Sequence, residues 1–145
     1  MEIATIGFTK KSAEEFFERL RKAGIRRLVD VRLNNVSQLA GFTKKDDLRY
    51  FLREICGAEY VHEPLLAPTQ ELLDSYKKEG ASWPDYERRF LALMAERKVE
   101  ERIPRSLFSV PTALLCSEDK PHQCHRRLVV EHLASKWGPI EVRHL

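Results

Sequence analysis

Apolar residues fall in two alternating patterns along this chain. Short runs of consecutive apolar positions are separated by stretches in which they recur every three or four residues, the signatures of buried strands and one-sided helices. Residues 2–8, from Glu2 to Phe8, form the first run and predict a buried strand. Gly7 near its end suits a tight turn or the close approach of a ligand. Ser12 followed by Glu15 is a capping box. The helix it opens sets Phe16, Phe17, Leu20 and Ala23 on one face, and Gly24 ends it. Leu28-Val29-Asp30-Val31-Arg32 is a second strand, apolar enough to be covered on both faces as in a parallel sheet. Residues 33–42 form a polar loop. Thr43 is placed to cap a helix carrying Leu48, Phe51, Leu52 and Ile55, stopped near Gly57.

Glu59-Tyr60-Val61-His62-Glu63 is a weaker strand ended by Pro64. Thr69 starts a short helix with Leu72, Leu73 and Tyr76, broken by Gly80. Ser82-Trp83-Pro84-Asp85 starts a longer one with Tyr86, Phe90, Leu93 and Met94. Its charged continuation, Arg97 to Arg105, is expected to be solvated surface. Thr112-Ala113-Leu114-Leu115-Cys116 is the clearest buried strand. Pro121 suits the first turn of a helix running to about Trp137, where Gly138-Pro139 stops it. Residues 140–145 give a last strand.

This alternation predicts an α/β fold: a single three-layer α/β/α domain over residues 1–145, with a mostly parallel sheet of about five strands and right-handed crossovers. In such sheets ligands bind at the carboxyl ends of strands. The unusual polar residues gather at those ends: Thr9 after the first strand, Asp30 and Arg32 after the second, with Ser37 in the loop beyond, His62 and Glu63 after the third, Cys116 and Glu118 after the fourth.

Composition narrows the class. With 43% hydrophobic and 32% charged residues the chain reads as globular. The formal charge of +3 suits an anionic ligand but lacks the basic stripe usual in nucleic-acid binding. No apolar run approaches the roughly 20 residues of a membrane span, and the N-terminus lacks the features of a signal peptide. The expectation is a cytoplasmic protein with no membrane partner. Three cysteines, an odd count, argue against a secreted disulfide framework.

Candidate chemistry concentrates in residues 116–127. At about 100° per residue, Val129, Val130, Leu133 and Trp137 mark the buried face of the last helix, and Arg126 falls near its middle. A guanidinium there needs an acid, such as Asp30 or Glu118, or an anionic ligand at the helix N-terminus. Cys116, at a strand end facing that N-terminus, could be a nucleophile or redox thiol, or a small buried hydrophobe. The same wheel turns Cys124 away from the core face, against a partnership with Cys116. A zinc set of Cys116, His122, Cys124 and His125 lacks the usual structural spacings, so no metal ligand is assigned. Asp30 with Arg32 could be a base beside an anion-binding arginine, or an internal ion pair. His125 and His62 are possible acid–base groups or hydrogen-bonded structural residues, and Glu118 a base, a cation ligand or the partner of Arg126. The Trp83, Tyr86 and Phe90 stripe should be core or a pocket wall, with base stacking the minor alternative. No P-loop, G-x-G-x-x-G or nucleophile elbow is present. Arg126 lies too far beyond Cys116 for a phosphatase- or rhodanese-like loop.

The motif Cys116-x-Glu118-x-x-Pro121-x-x-Cys124-His125-Arg126 after an apolar strand, with Leu28-Val29-Asp30-Val31-Arg32 and Thr5-Ile6-Gly7, resembles the prokaryotic domain-of-unknown-function family 488 over essentially the whole length. The chain departs from the family pattern in carrying Phe8-Thr9 in place of His-Ser, Asn35 in place of a proline, and Leu66-Ala67-Pro68 in place of Leu-Gly-Gly. The resemblance implies a three-layer α/β fold and a shared site at the strand ends, and supplies no activity and no cofactor.

The resulting expectation is an anion pocket at the carboxyl edge of the sheet. Arg32, Arg126, Thr9 and Ser37 would bind a phosphorylated, nucleotide-like or nucleic-acid substrate, and Cys116, Glu118, Asp30 and His125 would be candidates for hydrolytic or transfer chemistry. A non-enzymatic binding module with a structural Cys-Glu-Cys-His-Arg cluster, and a metal or redox thiol module, stand as alternatives.

Overall fold

The most apolar strand takes the middle of the sheet. In the computed structural model, which describes residues 1–34, 41–117 and 124–145, β4 (Thr112–Cys116) is buried at every position. It pairs with β1 (Glu2–Gly7) on one side and β2 (Arg27–Asp30) on the other. β3 (Glu59–His62) and β5 (Glu141–His144) form the edges, giving the order β3-β2-β4-β1-β5 with every pairing parallel. The most exposed strand, β5, lies at an edge, where one side needs no cover.

Strand alternation divides the interior into two layers. Ala113 and Leu115 of β4 join Phe16, Leu20, Leu48 and Leu52, beneath α1 (Ala13–Lys22) and α2 (Lys45–Phe51). Leu114 and Cys116 join Phe90, Met94, Leu128 and Leu133 on the other face. That face is covered by α3 (Gln70–Lys77), α4 (Trp83–Arg97), α5 (Val99–Arg102) and α6 (His125–Trp137). The result is the three-layer α/β/α arrangement that the alternation of patterns predicts.

The strand order places the crevice. From β2 the chain moves outward to β3; from β4 it moves the opposite way, to β5. Neighbouring strands whose connections part in this manner open a crevice above their carboxyl ends. Asp30 to Arg32 and Cys116 to Ser117 stand on its two sides.

Local signals hold where the chemistry is local. The hydroxyls of Ser12, Thr69 and Ser82 accept the backbone N–H of Glu15, Leu72 and Asp85, capping α1, α3 and α4. Two expectations change. Thr43 does not cap α2: it lies in a short turn, Gly41–Thr43, and Lys44 precedes the helix with no side-chain cap. The Thr43 carbonyl is drawn instead to Arg32. The charged stretch after α4 is not wholly surface, because Lys98 takes a left-handed conformation (φ 52°) and the chain turns. Val99 and Ile103, at the two ends of the short helix that follows, then become buried. Among the described residues no helix is long and apolar enough to cross a membrane.

Candidate functional site at the strand ends

Asp30 and Arg32 are two apart on extended chain, so both side chains turn to the same side. Arg32 donates through Nε and Nη2 to Asp30 Oδ1 and Oδ2 at 2.9 and 2.8 Å, and its backbone N–H adds a bond of 3.0 Å to Oδ1. The Tyr60 hydroxyl of β3 donates to Oδ2 at 2.6 Å. Arg32 Nη2 also donates to the Thr43 carbonyl at 2.7 Å. Asp30 is fully buried and Arg32 is 5% exposed. Two charges tolerate such burial when the fork geometry is good and the remaining lone pairs are used, as here. The guanidinium stands 5.5 Å from the centre of the Phe8 ring. Its Nη1 is buried with no hydrogen-bond partner among the described residues.

Across the crevice, β4 ends on Cys116, and Cys124 is the residue that precedes α6. A disulfide joins the two, with Cα atoms 7.4 Å apart. This corrects the helical-wheel placement of Cys124. The residue has extended angles (φ −139°, ψ 140°), so the helical turn per residue does not govern it, and its side chain meets Cys116 instead of turning away. Arg126, within the helix, is buried as its wheel position requires, and its Nη1 donates to Cys116 Sγ at 3.7 Å. The described partners of Asp30, one of the acids considered for Arg126, are Arg32 and Tyr60. Glu118 and Ser37 lie outside the described residues.

His125 Nε2 lies 2.7 Å from the Val31 carbonyl oxygen. A carbonyl only accepts, so Nε2 carries a proton and Nδ1 holds the lone pair of the neutral ring. His62 Nε2 makes the equivalent bond to the Arg32 carbonyl at 2.9 Å. Thr9 ties the ends of β1 and β4 together: its Oγ1 and its N–H both donate to the Ser117 carbonyl, at 2.7 and 3.0 Å. Cys116 Sγ, Cys124 Sγ and a ring nitrogen of His125 all lie within 4.8 Å of one another.

Between these groups and helices α3 and α4 is a pocket of about 200 Å³. Arg32 and Ser117 line it from the strand ends and Cys124 and His125 from the start of α6; Tyr76, Lys77, Trp83 and Tyr86 line it from α3 and α4. Trp83 and Tyr86 are stacked, with ring centres 5.2 Å apart and planes 20° from parallel. The aromatic stripe of α4 therefore does two things: Trp83 and Tyr86 wall the pocket, and Tyr86 and Phe90 belong to the core. Burial, with Tyr76 beside it, pushes the Tyr86 phenol well above its ordinary range, so it remains a protonated donor. Among the described lining residues the charged side chains are Arg32 and Lys77, both cationic. Sequence reading passed over Phe8, Asn34, Tyr60, Tyr76, Lys77 and Ser117 as site residues. Tyr60 carried one usable signal, a phenol in a weak strand that could reach a charged neighbour. Lys77 carried none that sets it apart from other surface lysines.

A model of the domain of unknown function DUF488 matches residues 12–133. The chain belongs to the DUF488 family. No curated protein and no solved structure matches it. The DUF488 match takes in Asp30, Arg32, Cys116, Cys124, His125 and Arg126, so both sides of the crevice lie within the family domain.

Proposed function

We propose that this DUF488 domain binds a small anionic molecule of nucleotide class in the strand-end pocket and acts on it as a hydrolase or transferase. Arg32 carries the reading. Asp30 and Thr43 hold its Nε and Nη2, while Nη1 is buried with no partner among the described residues, on a side chain that lines the pocket. An unmatched buried donor costs roughly 1–3 kcal/mol, and a phosphate or carboxylate oxygen is the acceptor best suited to satisfy a guanidinium. Lys77 adds a second positive charge, and Trp83, partly exposed and backed by the buried Tyr86 ring, offers an aromatic surface to a base or other planar group. Asp30, with its oxygens committed to Arg32 and Tyr60, is the positioning residue for the anion site. His125, on the pocket wall with its ring set by Val31, is the candidate acid or base.

Trp83 supplies the test. The chain has two tryptophans, so a Trp137→Phe background leaves Trp83 as reporter. Nucleoside monophosphates should quench its fluorescence saturably, with weaker responses to inorganic phosphate or free nucleoside alone. Lys77→Ala should weaken the response about tenfold, the loss of roughly one charge-assisted contact. Chromatography of the incubated nucleotide reads turnover. Binding without turnover would support the non-enzymatic alternative. No quenching by any of these anions would overturn the proposal.

A further inference from the structure

We propose that the reduced form of this domain binds one thiophilic divalent metal ion, of which zinc is the type, through Cys116, Cys124 and His125. The three donor atoms already lie within 4.8 Å of one another, contributed by a strand end and the start of a helix. Two sulfurs and an imidazole are a borderline-soft set that selects zinc over magnesium or calcium. Both cysteines are buried, at 1% and 3% exposure, which shields a metal–thiolate centre from water.

Two further features fit an ion. The cysteine Cα atoms stand 7.4 Å apart, wider than the roughly 4.4–6.8 Å usual across a disulfide. Two thiolates on one tetrahedral ion, with Zn–S near ~2.3 Å, hold their sulfurs well beyond bonding distance and suit the wider separation. His125 donates Nε2–H to the Val31 carbonyl, and a backbone acceptor behind the ring is the usual support of a ligating histidine, fixing its tautomer. Arg126 Nη1, at 3.7 Å from Cys116 Sγ, favours the thiolate. Cys124 and His125 also line the pocket, so a fourth coordination position there could take a water or a pocket ligand.

The chemistry balances with a dithiol reductant. It delivers two electrons and two protons to the Cys116–Cys124 bond and leaves as its own disulfide, giving two thiols. The metal then replaces both thiol protons, which pass to solvent. Anion binding is not required, so failure of the nucleotide titration leaves this inference standing, and the reverse also holds.

The test is cobalt(II) titration of the full chain after reduction and anaerobic removal of the dithiol. A sulfur-to-cobalt charge-transfer band should grow and saturate at one equivalent, and zinc should displace it. Cys124→Ser should weaken or remove the band, and His125→Gln should lower affinity at least tenfold. Zinc should protect two thiols of the reduced protein from alkylation. Absence of a charge-transfer band in the wild-type chain would overturn the proposal whatever the folding of the variants. A band unchanged in His125→Gln would overturn the ligand assignment.

Discussion

The Tyr60 hydroxyl reaches from edge strand β3 to donate to Asp30 Oδ2 at 2.6 Å, completing the set of donors around a buried carboxylate. Asp30 in turn holds Arg32 by two side-chain bonds. The edge strand thereby braces the arginine that lines the pocket, through one carboxylate.

That chain of contacts ranks two substitutions. Asp30→Asn keeps the shape but leaves Arg32 buried without its counter-charge, and should cost roughly 3–5 kcal/mol. Tyr60→Phe deletes one bond to a charged group and should cost about 1.5 kcal/mol. Urea unfolding measures both. A Tyr60→Phe loss as large as that of Asp30→Asn would mean that the carboxylate is not the centre of the network.

Ser82 caps α4 one residue before Trp83, so the cap and the pocket wall are mechanically linked. Ser82→Ala should lower stability by about 1 kcal/mol and weaken quenching of Trp83 by nucleotide. Ser12→Ala removes the same kind of cap from α1, on the opposite face of the sheet. It should cost a similar amount and leave quenching unchanged. Equal effects of the two variants on quenching would break the link.

Cys56 is the free thiol of the oxidised chain. Burial, and secondarily Glu18, raise its pKa, with Arg21 opposing. A raised thiol pKa means less thiolate at a given pH, so alkylation of Cys56 in the folded protein should be slow near neutrality. The rate should climb to a plateau at higher pH than for an ordinary cysteine. Glu18→Gln should move the profile to lower pH. Thiol titration in denaturant should count one cysteine before reduction and three after it. Three thiols without reduction would rule out the Cys116–Cys124 bond.

Much of the fold was legible because its signals are short-ranged. The caps at Ser12, Thr69 and Ser82 need partners within three residues, and burial along β4 shows as an unbroken apolar run. Burial of Arg126 followed from helical period alone. The same period misplaced Cys124, since the residue stands before the first helical turn. Thr43 looked like a cap by spacing, and the demand of Arg32 for a carbonyl acceptor is a contact no local pattern encodes.

By itself, then, the sequence determined the alternation of strands and helices and the caps at Ser12, Thr69 and Ser82, because each depends on backbone geometry over a few neighbours. Tertiary structure alone decided the order β3-β2-β4-β1-β5, the bracing of Asp30 by Tyr60 thirty residues away, and the meeting of Cys116 with Cys124. Those depend on which faces the packed layers bring together, and the physical reason is range. Local propensity sets each element, whereas burial of the shared apolar faces across the whole chain sets their arrangement.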